Sequence, residues 1–452
     1  MTPTASHRAR ARVFWIACAV LPLVVLEVAA YVATELLRSR YVTPYTHGIS
    51  VTGWPRDATV PFRSGSVRVD VITNDLGFRG PRLTPRKPPG TYRVAVFGDS
   101  VAAGWGVAQD EMFSSRLAEL LKSEPGTFEV ANFAVIASGP GTAFGLYRDV
   151  ARRFGPDLVV LGIFVGNDFV DAEKELARGL RLEDRNPIAV PGFPFSYHLL
   201  SFVLTRRDLE AAERERIAAL PRFAELDGEL RALVRGRAVH LGLLGVGLAT
   251  PDAITTALTR ITPAEVAALG TIVRDFAAAV TADGSRFLVV AVPMSVQVSR
   301  EQVDQLRRMR FRIPDALVGE RLPQRLVAGA IEPWIAATDE ARTRTVAYLD
   351  VAPEFETRSA SGPLYLPWDV HPGAGGHRVV ADALLREIRR WTPRRVSAAR
   401  QEADSADRHR ADTRQIFTLP SLAIIDSSDV RAGSGTPSLP ASSAGGTGPP
   451  HP

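Results

Sequence analysis

The chain has 452 residues, enough to bury a full core in one large domain or in two ordinary ones. Apolar residues at 46% and charged residues at 23% are globular proportions, which excludes a chain disordered from end to end. The net charge of +5 comes from arginines scattered among Asp and Glu, with lysine only at Lys87, Lys122 and Lys174; no basic recognition helix stands out, so no nucleic-acid partner is expected.

Residues 1–12 carry Arg8, Arg10 and Arg12 and are read as a cytoplasmic N-terminus; residues 13–37 are mostly apolar, interrupted by Pro22, Glu27 and Glu35. A helix needs roughly 20 residues to cross a bilayer, so this run is read as a single-pass transmembrane anchor at the cell membrane. The basic N-terminus points inward and the folded body outward, although Arg38 and Arg40 beyond the run weaken the asymmetry. A signal peptide cleaved after Val28-Ala29-Ala30 is the competing reading, and it leaves the body on the same side. Cys18, the only cysteine, lies in this run; it excludes an intrachain disulfide and a cysteine-based metal site. Trp15-Ile16-Ala17 is a poor lead-in for lipoprotein processing there.

Residues 38–90 form a lead-in rich in Pro, Gly and Thr, with an alternating segment from Ser66 to Ile72 that predicts an edge strand. Residues 91–392 then alternate apolar runs with helical patterns, the signature of a parallel sheet flanked by helices in a three-layer α/β domain. Strands are predicted at Arg93 to Phe97, Phe128 to Phe133, Leu158 to Phe164, Phe287 to Val292 and Thr345 to Leu349. Helices are predicted at Met112 to Lys122, Ala143 to Phe154, Ala264 to Ala282, Leu322 to Ala336 and Ala374 to Arg390, the third opened by Thr262 as N-cap with a proline in its first turn. Residues 171–262 are a charged helical insertion, read either as a lid over the active site or as a peripheral decoration. Residues 393–452, rich in Arg, Ser, Pro and Gly, are expected to be disordered apart from a short apolar island at Ile416 to Ile425.

The strongest chemical signal is the run from Arg93 to Gly104, a buried strand that passes straight into Gly98-Asp99-Ser100 and a small-residue loop. A serine just beyond a central strand lies at the crevice where open α/β sheets bind ligands. Serine is a poor nucleophile alone; it needs an imidazole base and a carboxylate that fixes the tautomer. Asp369-Val370-His371-Pro372 supplies both, just ahead of a helix containing Gly375-Gly376-His377. Oxyanion donors are offered by the strand ends at Gly166-Asn167-Asp168, through the asparagine amide, and at Asn132 to Gly139, through backbone amides.

These segments resemble the SGNH hydrolase (GDSL-like esterase/lipase) superfamily in its membrane-anchored bacterial form. Gly98-Asp99-Ser100 with Gly104 matches its first block, Gly166-Asn167-Asp168 its third and Asp369-Val370-His371 its last, and the stretch from Asn74 to Gly80 is similar to the one that precedes the first block. The resemblance covers about residues 74 to 391 and implies a three-layer α/β/α, flavodoxin-like fold. It further implies a Ser100, His371 and Asp369 triad, with the oxyanion held by the backbone amides of Ser100 and Ala137 and by the Asn167 side chain. Two departures stand out: Ala137 replaces the family's oxyanion glycine, with Gly139 matching the later one, and a single residue separates Asp369 from His371. The one-residue spacing resembles the related alginate O-acetyltransferase branch.

The implied activity is ester hydrolysis through an acyl-enzyme, with a glycan, lipid or small-molecule ester as substrate and no cofactor. An O-acyltransferase using the same triad is the first alternative, and a non-catalytic envelope scaffold the second. Taken singly, each motif has a plain structural reading: Gly-Asp-Ser as a turn, and His371 or His377 as a packed or capping histidine. Asp369, His371 and His377 are metal-ligating types, but no second carboxylate cluster accompanies them, so no metal is expected.

Overall fold

The computed structural model describes residues 5–41, 54, 56–180, 196, 200, 215, 217–219, 221–235, 238–336 and 345–391. The predicted island at Ile416 to Ile425, the rest of the tail and most of 181–214 lie outside them. The first helix, α1 (Ala5–Tyr41), continues through Pro22. Its segment Phe14–Ala33 is long and apolar enough to cross a bilayer. At 1.5 Å per residue those 20 residues measure about 30 Å, the thickness of the hydrocarbon core. Glu27, inside that segment, accepts hydrogen bonds from the Ser196 backbone N–H at 3.3 Å and from its hydroxyl.

An antiparallel ribbon follows, β1 (Thr59–Ser64) and β2 (Val67–Ile72), with Ser64 facing Val67 across a two-residue turn. Gly65 at the turn has φ +56°, the positive angle that tight hairpin turns require. The alternating segment from Ser66 to Ile72 is therefore a strand, but not an edge of the main sheet: the Gly65 turn folds it onto β1, in a two-stranded sheet of its own.

The main sheet has five parallel strands, β3 (Thr91–Phe97), β4 (Thr127–Asn132), β5 (Leu158–Phe164), β6 (Arg286–Val292) and β7 (Val346–Asp350), in the order β4-β3-β5-β6-β7. Successive side chains leave opposite faces. Val94, Val96, Val160 and Leu288 thus join one core, while Ala95, Phe97, Leu161 and Phe287 join the other. Both faces are covered, which is why the strands read as continuous apolar runs.

On the first face lie α2 (Phe113–Leu121) and the last helix, Ala374–Trp391; on the second lie α3 (Pro140–Leu146), α4 (Asp168–Arg178) and the helices Pro263–Ala282 and Leu322–Ala336. Thr262 caps Pro263–Ala282 as predicted: its hydroxyl accepts from Glu265 N–H while Glu265 reaches back to the Thr262 amide. The helix predicted from Ala143 to Phe154 is not continuous. It runs as α3, a π turn at Tyr147–Ala151 and a 3-10 turn at Arg152–Phe154, ended by Gly155 in the left-handed region at φ +56°. The described part of the insertion is helical, with Gly228–Arg235, Leu241–Ala249 and Ala253–Thr259 packed on the first core through Leu230, Leu244, Leu248, Ile254 and Leu258.

Phe276 is fully buried and touches the rings of Phe97, Phe144, Tyr147 and Phe287, tying three elements to the sheet. Phe276→Ala is expected to cost about 3–5 kcal/mol of unfolding free energy, read from the midpoint of urea denaturation followed by tryptophan fluorescence.

Candidate active site

The order β4-β3-β5-β6-β7 makes β3 and β5 the pair where the chain reverses its direction of growth, and the crevice beyond their C-terminal ends is the usual ligand position in such sheets. Ser100 follows β3 and Asn167 follows β5. Gly98 turns the chain out of β3 at φ +148°. A Cβ there would stand 2.8 Å from both the Ala102 Cβ and the Gly162 carbonyl, so only glycine fits. Backbone bonds from Ala103 N to Asp99 O and from Trp105 N to Ser100 O, each 2.9 Å, then close the serine turn.

The lead-in supports this turn. Arg79 is 4% exposed and donates to the carbonyls of Gly104 at 2.6 Å and Val107 at 3.0 Å, and to Gln109 Oε1 at 3.2 Å. Among the described residues no carboxylate receives it, and burial alone pulls its pKa down to about 10, which leaves it charged at neutral pH.

The loop after Leu364 is a small hairpin: Leu366 N–H donates to His371 O and Gly373 N–H to Leu364 O. The Tyr365 hydroxyl donates to Pro293 O at the end of β6, fixing the hairpin to the sheet edge. Ser100 Oγ lies 2.9 Å from His371 Nε2, and His371 Nδ1 lies 2.6 Å from Asp369 Oδ1. The imidazole is flanked by Trp105 at 5.1 Å and Phe164 at 6.3 Å, both rings nearly parallel to it.

Burial alone would raise the Asp369 pKa, yet the charges of His371 and His240 and the hydrogen bonds from His371 hold it well below the usual carboxylate range. Burial alone would lower His371, but the charge and hydrogen bond of Asp369, with help from Asp99, lift it above the ordinary histidine value. Asp99, beside the serine, is pushed up to about 6, first by burial.

Asn167 and Asp171 are one helical turn apart, with Asn167 as N-cap of α4, and the Asn167 amide donates to Asp171 Oδ2 at 2.8 Å. One of its two N–H groups is thereby engaged. Another turn on, Glu175 accepts from Gly139 N–H at 2.9 Å, Gly141 N–H at 2.8 Å and the Thr142 hydroxyl at 2.5 Å, pinning the loop that carries Ala137. Among the described residues, the backbone N–H groups of Ser100 and Ala137 find no backbone acceptor. Ala137 has φ +54°, a left-handed angle that explains why glycine is the common occupant of such a position.

His377 stands apart from this group: fully buried, it accepts from Phe113 N–H at the start of α2 through Nδ1, and burial keeps it neutral with a pKa lowered to about 3. Among the described residues no group of three His, Cys, Asp or Glu side chains is arranged to hold a metal ion.

No family model matches the chain, and no curated protein matches it. Solved structures do resemble it. TesA is 10% identical with a TM-score of 0.33, over 66% of this chain and 99% of that one. A catalytic mutant of Axe2, an acetylxylan esterase from Geobacillus stearothermophilus, is 14% identical with a TM-score of 0.32, over 66% and 94%. The acetyl xylan esterase AlAXEase is 11% identical with a TM-score of 0.33, over 66% and 99%.

Sequence reasoning passed over Trp105, His240, Asp171 and Glu175. Trp105 Nε1 donates to Asp369 Oδ2 at 3.2 Å, and the His240 ring lies 5.6 Å from the indole, tilted by 41°. The signal for Trp105 was its place in the serine loop, and for Asp171 and Glu175 the four-residue spacing from Asn167. His240 had none, since a lone histidine in an insertion carries no pattern.

Ala137 bears the cost of a side chain at positive φ while lying exposed. Ala137→Gly is expected to raise the unfolding free energy by about 1 kcal/mol, checked by urea denaturation.

Proposed function

We propose that this chain is a membrane-tethered serine acylhydrolase of the SGNH type, with Ser100 as nucleophile, His371 as general base and Asp369 as the carboxylate that orients it. The observation that carries the reading is the unbroken relay of 2.9 Å from Ser100 Oγ to His371 Nε2 and 2.6 Å from His371 Nδ1 to Asp369 Oδ1. Both distances are within proton-transfer reach. With Nδ1–H donating to an ionised Asp369, Nε2 carries the lone pair that faces the hydroxyl.

His371 Nε2 takes the Ser100 proton as Oγ bonds to the ester carbonyl carbon. The carbonyl oxygen becomes an oxyanion that accepts from Ser100 N–H, Ala137 N–H and the second Asn167 amide hydrogen. When the tetrahedral species collapses, the ester C–O bond breaks and the leaving alcohol takes the proton from His371. Water then gives its proton to His371 and attacks the acyl-Ser100 carbonyl, and breaking the acyl–Oγ bond releases the acid as Oγ recovers the proton.

The apolar segment Phe14–Ala33 supports an anchor with the catalytic body outside the cytoplasm, which favours an O-acylated envelope glycan or a lipid ester as substrate. The domain plan that goes with it is an anchor at 13–37 and a hydrolase domain at 91–392 with its insertion at 171–262; the tail at 393–452 lies outside the described residues. A second reading, O-acyl transfer to a sugar hydroxyl in place of water, is favoured by the single residue between Asp369 and His371. Mass spectrometry of an acceptor glycan incubated with donor ester separates the two.

A fluorophosphonate probe is expected to label the wild type on Ser100 and to spare Ser100→Ala; labelling that persists in the variant would refute the nucleophile. On an ester substrate, Ser100→Ala is expected to lower kcat by about a millionfold and Asp369→Asn by about ten thousandfold. The base must be neutral to act. With the His371 pKa raised by Asp369, the rate falls as pH drops through a midpoint above the ordinary histidine value of 6.5.

A further inference from the structure

Trp105 touches both partners of the acid–base pair, yet hydrolysis as written gives it no part. We propose that Trp105 is a positioning residue for Asp369 and His371, holding the carboxylate through its indole N–H and the imidazole through its ring face. The proposal rests on Ser100 being the nucleophile and His371 its base.

Asp369 Oδ1 already accepts three hydrogen bonds, from His371 Nδ1 at 2.6 Å, Val370 N–H at 2.7 Å and His371 N–H at 3.2 Å. Among the described residues, Oδ2 has one donor, Trp105 Nε1 at 3.2 Å. Asp369 is 3% exposed, so without that donor a charged oxygen would be buried unpaired. A single residue, Val370, separates Asp369 from His371, and the loop enters this segment through Trp368 at φ +57°, a conformation costly for a bulky residue. Such a loop gains from outside support, and Trp105 supplies it from the serine turn itself.

Trp105 is held on every side. Its backbone N–H donates to Ser100 O at 2.9 Å, and Arg79 clamps the adjoining Gly104 carbonyl. Phe62 of β1 meets the indole edge-on at 4.8 Å, the His371 ring stacks with it at 5.1 Å, and the His240 ring lies tilted to it at 5.6 Å. One side chain thus carries the position of the nucleophile turn to the base, and His240 brings the insertion into contact with it.

The titratable groups around His371 are Asp369 and Asp99, which raise it, with His240 and His377 nearby. His240 Nδ1 accepts from Leu243 N–H as a helix cap, and burial pushes its pKa down, so it is neutral where His371 titrates. The indole N–H points its positive end at Asp369 and offsets part of the carboxylate's pull on the imidazolium proton. Removing that donor moves the His371 pKa upward.

The test is the rate of fluorophosphonate labelling at Ser100 against pH, on the full chain in detergent micelles, with thermal unfolding of each protein alongside. Trp105→3-benzothienylalanine keeps the bicyclic shape and replaces N–H by sulfur; Trp105→Phe keeps an aromatic face without a donor. The expected result is a labelling rate about ten- to hundredfold lower in the benzothienyl variant, the loss of a hydrogen bond to a charged group. Its acid limb should move to higher pH, with the unfolding temperature lowered by the carboxylate oxygen left without a donor. Trp105→Phe should show the same displaced limb with an added loss of stability. A limb that stays at the wild-type pH in both variants overturns the proposal and assigns Trp105 to packing. Absence of labelling on wild-type Ser100 is a different failure, which removes the serine-nucleophile reading and the positioning role with it.

Discussion

The proximity of one hydroxyl and one imidazole, 2.9 Å apart, is the contact from which the site's chemistry follows, and strand order makes it possible. Ser100 and His371 are separated by 271 positions, so no local preference brings them together. β3 is an inner strand of a sheet whose order reverses at its boundary with β5, which opens a crevice beyond its C-terminal end. The hairpin bearing Asp369 and His371 reaches the same edge because the Tyr365 hydroxyl is bonded to Pro293 O, just past β6. Parallel strands all point one way, so every strand end with a chemical group delivers it to one side of the sheet.

Burial divides the acidic groups there into two kinds. Asp369 is kept ionised because hydrogen bonds and the positive partner beside it outweigh its desolvation. Asp99 is raised by burial to about 6, and Asp168, which accepts from Phe164 N–H, is raised further by burial and by the charges of Asp99 and Asp171. Carboxyl groups at one end of the sheet are therefore shifted in opposite directions, Asp369 toward its ionised form and Asp99 and Asp168 toward their protonated forms. Ser100 Oγ lies 3.4 Å from Asp99 Oδ2 but 2.9 Å from His371 Nε2, so the imidazole is the better-placed acceptor of its proton.

Much of the fold was legible because its signals are local. All five predicted strands of the sheet exist within two residues of their expected ends, since an apolar run buried on both faces has little other place to go. The helix at Pro263–Ala282 was marked by its own cap and proline. What escaped depends on partners remote in sequence. Ser66 to Ile72 read as an edge strand because the stretch that becomes β1 has a proline at Pro61 and weak alternation, so its pairing was invisible. The break at Tyr147 coincides with a tertiary contact, the Tyr147 hydroxyl to Asp283 Oδ2 at 2.8 Å. At the site, Ser100, Asp369, His371, Asn167 and Ala137 were singled out by type and strand context. Arg79 was quoted only as part of a motif, and His240 could not be found without its three-dimensional neighbours.

Those neighbours also bear on the insertion, which the sequence allowed as either a lid or a decoration. Leu244 and Leu248 of the helix Leu241–Ala249 are buried in the first core, and a Cβ on Gly247 would lie 2.3 Å from the Met309 carbonyl, so this helix seats closely against the chain beyond Arg308. A Cβ on Gly65 would lie 3.2 Å from the His240 backbone nitrogen, which sets the ribbon turn against the same helix start. Lifting this part as a rigid lid would expose several leucines and remove the His240 ring from beside Trp105, at a cost of about 1.5–3 kcal/mol for each leucine uncovered. The described helices of the insertion are thus seated in the first core, and they meet the site through the contact of His240 with Trp105 and of Trp105 with Asp369.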